Sequence, residues 1–134
     1  MKYRFVEKLN EFLNSMGRSD LINPQLDCHS NIQLEMDDAP AINIDLSSDD
    51  LIIWCNLMEC NYSRLDASSA SLLKDILEYV PRNFHAGQPA LNLIENNLVL
   101  SAVLKATSLD NMQLFADSFD EFFERATELR LQLS

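Results

Sequence analysis

Glycine is nearly missing from this chain, with Gly17 and Gly87 the only two in 134 residues. A loop that wraps phosphates or a dinucleotide needs several glycines at fixed spacing, because its backbone must approach the ligand with no Cβ in the way; neither kind can be built here. Histidine is equally scarce, at His29 and His85, and no G-x-S-x-G, H-E-x-x-H or C-x-x-C occurs. Cys28, Cys55 and Cys60 are an odd number without a pairing pattern, which fits a reducing compartment. Cys28 adjoins His29, yet only His85 and distant carboxylates remain to complete a shell, and metal sites demand stricter ligand spacing. No metal or cofactor is expected.

Long apolar runs are absent too, so nothing reads as a membrane span. Met1-Lys2-Tyr3-Arg4 opens a polar-faced helix and lacks the apolar region of a secretory signal, making the cytosol the expected location. Basic residues are few: 10 Lys and Arg stand against 21 Asp and Glu, for a formal charge of −11. That balance repels phosphate backbones and anionic lipid, so nucleic acid and membrane are not expected partners. It keeps a small sticky protein soluble and could attract a basic polypeptide. The pairs Asp37-Asp38 and Asp49-Asp50 fall between strand-like runs, where aspartate is favoured for turn geometry. The expectation is a protein that is not an enzyme. A small α+β enzyme whose carboxylates, or Cys28 and His29, converge only on folding is the alternative.

What the chain does have is a stretch from His29 to Met58 that alternates apolar and polar residues in three short runs. Ile32-Gln33-Leu34-Glu35-Met36, Ile42-Asn43-Ile44-Asp45-Leu46 and Leu51 to Met58 are separated only by turn residues, which predicts an antiparallel meander. In the first two, Ile32, Leu34, Met36, Ile42, Ile44 and Leu46 share one face. The third is apolar on both: Leu51, Ile53, Cys55 and Leu57 on one side, Ile52, Trp54 and Met58 on the other. Both faces then need cover from a helix, a second subunit or a ligand.

The flanks read as helices and one more hairpin. Phe5, Val6, Leu9, Phe12, Leu13 and Met16 form one helical stripe over residues 2 to 16, stopped by Gly17. The stripe suits core packing, with a partner-facing role as the alternative. Residues 59 to 65 read as a polar connection, and a second helix is expected from Asp66 or Ser68 through Leu72, Leu73, Ile76, Leu77 and Val80 to Pro81. Residues 90 to 94 and 98 to 104 form a hairpin around Glu95-Asn96-Asn97. A last helix runs from about Leu109 to Leu131 on a wide stripe of Met112, Phe115, Phe119, Phe122, Phe123 and Ala126. One α+β domain over 1–134 follows, with an antiparallel sheet of about five strands and three helices in the order α-β-β-β-α-β-β-α.

With those elements in place, the chain resembles the class I type III secretion chaperones, and most of all the multi-effector (class IB) subgroup of invasion-type systems. The resemblance is carried by Leu26-Asp27-Cys28-His29-Ser30-Asn31-Ile32, Ala39-Pro40-Ala41-Ile42-Asn43-Ile44 and Ile53-Trp54-Cys55-Asn56-Leu57. It implies a homodimer in the bacterial cytosol that holds the N-terminal segment of secreted effectors in non-globular form, with the secretion ATPase as a further candidate contact. It places the dimer interface around Leu72, Leu73, Ile76 and Leu77, to which Trp54 is added, and the cargo on Phe5, Leu9, Phe12, Leu34, Ile42 and Ile44. An adaptor for a folded partner, unconnected with secretion, is the other competing reading.

Overall fold

The computed structural model describes residues 2–18, 31–36, 39–46 and 49–134. Helix α1 (Lys2–Ser15) precedes strands β1 (Asn31–Met36), β2 (Ala39–Asp45) and β3 (Ile52–Glu59). Helix α2 (Tyr62–Glu78), strands β4 (Ala90–Ile94) and β5 (Asn97–Val103), a 3-10 turn (Ala106–Leu109) and helix α3 (Met112–Leu133) follow. The expected element order is the one observed. All five strands join one antiparallel sheet in the order β1-β2-β3-β5-β4, so β1 and β4 are its outer strands.

Local chemistry fixes the element ends. Gly17 takes φ +73° after α1, and Arg18 N–H reaches the Leu13 carbonyl at 2.8 Å while Gly17 N–H reaches Asn14 at 3.1 Å, which closes the helix with a left-handed residue. Glu95 and Asn96 both sit at positive φ, the two-residue turn that matches strand twist, so β5 begins one residue earlier than the sequence suggested. Helix α2 starts a turn earlier than expected. Asn61 caps it by accepting from Arg64 N–H at 3.2 Å, and residues 62 to 65 are helical rather than connecting. Asn111 caps α3 in the same way, accepting from Leu114 N–H at 2.8 Å.

One face of the sheet carries the core. Ile32, Ile42, Ile44, Leu46, Ile53, Cys55, Leu100 and Ala102 are buried with Phe5, Leu9 and Leu13 of α1 and Phe115, Phe119, Phe122, Ala126 and Leu129 of α3. Aromatic rings bind the two helices: Phe5 and Phe12 lie 5.8 and 5.6 Å from Phe115, and Phe12 lies 6.1 Å from Phe119. The other face holds Ile52, Trp54 and Asn56, paired with Val103, Ser101 and Val99. Met58 is not with them as the alternation implied. A register shift between Asn56 and Met58 sets Met58 opposite Leu98, and Leu57 and Met58 both pack on the core.

Candidate interaction surfaces

Helix α2 is apolar on two sides. Leu72 is buried and Leu65 half-buried toward the core, whereas Leu73, Ile76 and Leu77, at i, i+3 and i+4, lie outside at 58%, 44% and 74% exposure, followed by Val80 at 82%. A helix serving only its own core would show polar residues there. Its early turns are lined with small residues whose hydroxyls bond back to the helix: Ser68 to the Arg64 carbonyl at 2.7 Å and Ser69 to Asp66 at 2.9 Å. Those groups are satisfied locally, leaving a low surface that another backbone can approach.

The end of α2 is fixed by a polar clamp on α3. Glu121, only 1% exposed, takes the Tyr79 hydroxyl at 2.6 Å and Arg82 N–H at 2.9 Å on one oxygen, and Asn83 N–H at 2.8 Å and Asn83 Nδ2 at 3.1 Å on the other. Burial pushes this carboxyl up, but the four donors outweigh it, and its pKa lies below the ordinary value. Tyr79 moves the opposite way, raised by burial and then by its bond to Glu121. Asp117 is lowered, first by the 2.7 Å bond from Asn83 Nδ2. Phe84 tucks under the clamp, 6.4 Å from Phe122. Beside it Arg125 stacks on the Tyr79 ring at 4.1 Å and pairs with Asp75 at 2.5 Å.

This clamp was not legible as such. Asp120, Glu121 and Glu124 look like a solvated acidic run, yet Ser118, Glu121, Phe122, Arg125 and Leu129 fall at i, i+3, i+4, i+7 and i+11, the phase of the buried stripe. That phase was the available signal. With every oxygen of Glu121 engaged, the cluster offers no free base, so its chemistry is structural.

The residues expected at interfaces divide by exposure. For the expected cargo set, Phe5, Leu9, Ile42 and Ile44 are sealed in the core, because Ile42 and Ile44 lie on the sheet face that α1 and α3 cover and Phe5 and Leu9 are on the stripe of α1 that packs there. A closed side chain has no surface to offer a client. Phe12 and Leu34 are half-buried at the border of that core. Of the expected dimer set, Leu72 is buried within its own chain, while Leu73, Ile76 and Leu77 form the outer ridge and Trp54 is 37% exposed on the open face of the sheet. Cys28 and His29 lie outside the described residues. Among the described residues, no three of His, Cys, Asp and Glu converge in a way that could hold a metal, and no helix is long and apolar enough to cross a membrane.

Comparison with solved structures shows the same fold at low identity. The structure of the heterodimeric complex ExoU–SpcU from the type III secretion system of Pseudomonas aeruginosa contains a chain that superposes with a TM-score of 0.64 at 16% identity, covering 94% of this chain and 98% of that one. A chain of the ExsC–ExsE complex superposes with a TM-score of 0.62 at 15% identity, covering 99% and 96%. Each shares the five-stranded sheet with flanking helices. At the level of sequence, a model of the invasion protein B family matches residues 17–95, a span that runs from the end of α1 through the β4 strand and takes in more than half of the chain. The chain belongs to the invasion protein B family.

Proposed function

We propose that this chain is a type III secretion chaperone of the class I multi-effector subgroup, acting in the cytosol as a homodimer and as one domain over 1–134. It holds the N-terminal segment of secreted effectors in extended, secretion-ready form and catalyses no reaction. Family membership supports this, as does a fold shared over nearly the whole chain with proteins solved in the ExoU–SpcU and ExsC–ExsE complexes.

The observation that carries the proposal is a surplus of exposed apolar side chains. Leu73, Ile76, Leu77 and Val80 on and after α2, with Leu93 and Ile94 on the outer strand β4, remain open after a core containing Phe5, Phe115 and Phe122 has closed. Apolar surface gathered in this way marks docking sites on proteins of this size. The α2 ridge, with Trp54, serves a second copy. The client lies at the opposite end of the sheet, adding a strand to β1 and resting on the half-open Phe12 and Leu34, while Phe5, Leu9, Ile42 and Ile44 support that surface from beneath. Strand addition supplies affinity through main-chain hydrogen bonds that do not depend on client sequence, which suits several cargoes. The net charge of −11 favours basic client segments.

Co-expression with secreted effectors and limited proteolysis of the resulting complexes tests the proposal. A protected N-terminal effector segment flanked by protease-sensitive chain is expected. Capture of an intact globular partner with no such segment would point to an adaptor instead.

A further inference from the structure

Arg130, in the last turn of α3, is an arginine without an acid. Arg4, Arg82 and Arg125 hold the carboxylates of Asp110, Asp117 and Asp75. Three and four residues to either side of Arg130 stand Ala126, Thr127, Leu133 and Ser134, none of them acidic, in a chain with 21 carboxylates to 10 basic residues. Among the described residues Arg130 makes no ion pair or hydrogen bond: its Nε is buried without an acceptor, while Nη1 and Nη2 keep accessible surface. The half-buried side chain lines a cleft of about 220 Å³ with Met58, Thr127, Leu131 and Ser134. A wider cleft of about 610 Å³ begins at the same Met58 and runs past Cys60 and Asn61 to Arg64. Arg64 is exposed, and its guanidinium too is unpaired among the described residues. Glu59, on that wall, is engaged by Asn96 Nδ2 at 3.3 Å instead.

We propose that these adjoining clefts take an acidic stretch of the client, with an apolar side chain on Met58 and carboxylates on the Nη fork of Arg130 and on Arg64. The inference rests on the client-holding reading above and names the chemistry of one anchor in the client.

Chemistry and position select that occupant. The dipole of α3 favours a cation in its last turn but leaves the guanidinium fork empty, and such a fork binds a carboxylate through two parallel hydrogen bonds. Met58 and Leu131 beside it suit an apolar neighbour, and the flexible thioether adapts to side chains of different shape. The clefts also continue the half-open border assigned to the client. Phe12 stacks on Phe119 at 6.1 Å, and from Phe119 one stripe of α3 runs through half-buried Phe123 and exposed Thr127 to Arg130, at i, i+4, i+8 and i+11. A segment leaving Phe12 thus reaches Arg130 without crossing the α2 ridge. Arg64 stays clear of that ridge as well, since nine residues, two and a half helical turns, set it opposite Leu73. A net charge of −11 repels carboxylates in general, so two open cations side by side discriminate, fixing the register of an otherwise basic segment.

The test titrates the protein with three probes while the Met58 methyl resonance is followed by NMR: a blocked tripeptide with leucine between two glutamates, its counterpart with two glutamines, and inorganic phosphate. The glutamate peptide is expected to bind about tenfold tighter than the glutamine peptide, and phosphate to leave Met58 nearly unmoved. Arg130→Gln should remove most of that preference, and Arg64→Gln, at an exposed position, about threefold of it. Equal binding of the two peptides, a preference unchanged in both variants, or a Met58 shift with phosphate as large as with the glutamate peptide overturns the anchor. Proteolysis of effector complexes judges the client-holding reading separately. Protected effector segments without a glutamate preference strike the anchor and leave that reading standing; no protected segment strikes both. Where Arg130→Gln fails to fold, Arg64→Gln and the peptide comparison on the unmodified chain decide.

Discussion

The Tyr79 hydroxyl donates to Glu121 at 2.6 Å and so ties the residue that ends α2 to the middle of α3. The backbone amides of Arg82 and Asn83 and the Asn83 side-chain amide complete the hold on the same carboxylate. The α2 ridge therefore keeps a fixed place relative to the core although its own outer side chains touch little.

Glu121→Gln is expected to cost roughly 3 kcal/mol, because an amide nitrogen would face groups that are themselves donors. Tyr79→Phe keeps the ring under Arg125 and removes one bond, a loss of about 1 kcal/mol. Urea midpoints of the two variants at matched protein concentration check the order, the glutamine variant being the less stable.

Stability should also fall on the acid side for a reason located at the same carboxylate. The folded pKa of Glu121 lies below its ordinary 4.5, so the unfolded chain takes up the proton first as pH drops. Its contribution is complete above that value and is lost as pH falls through the folded value; Asp117 acts in the same direction. Denaturant midpoints measured on both sides of pH 4.5 should decline with acid in the wild type and less steeply in Glu121→Gln.

Burial raises the Cys55 thiol to about 11, with Arg130 pulling it back in part. The thiol therefore stays protonated and covered at neutral pH. Alkylation followed by peptide mapping should label Cys55 slowly in native protein and fully in urea. Rapid native labelling would mean that the core strand β3 opens readily.

Leu9→Ala and Leu34→Ala should separate support from contact. Leu9 is sealed between α1 and the sheet, so its truncation costs roughly 2–5 kcal/mol of stability. Leu34 is half-open at the core's border, so its truncation should cost about 1 kcal/mol of stability yet weaken client binding about tenfold. Calorimetry with one client segment, paired with a thermal melt, gives both quantities.

How much of this could be read in advance depends on the range over which each signal acts. The alternation in β1 to β3 and the stripe of Phe5, Leu9 and Leu13 act within a few residues, and they specified the element order. Exposure does not act within a few residues. Phe5 and Phe12 share one stripe and both reach Phe115 on α3, yet Phe5 is sealed and Phe12 half-open, which no single-segment pattern reports. The α2 start is ambiguous in the sequence because Asn61 caps the helix from within a polar stretch, where Asp66 and Ser68 are equally good caps. Met58 changed sides through a bulge that carries no glycine. The clamp on Glu121 joins residues about forty positions apart, beyond the reach of spacing.

Amide hydrogen exchange across the whole chain, with and without a saturating N-terminal segment of a secreted effector, tests the client-holding role most directly. Exchange should slow in β1, Asn31–Met36, and in α1 near Phe12, with α2 unchanged under the proposed homodimer, in which the second copy covers it. Absence of protection in β1 and α1, or protection confined to the α2 ridge, would contradict it.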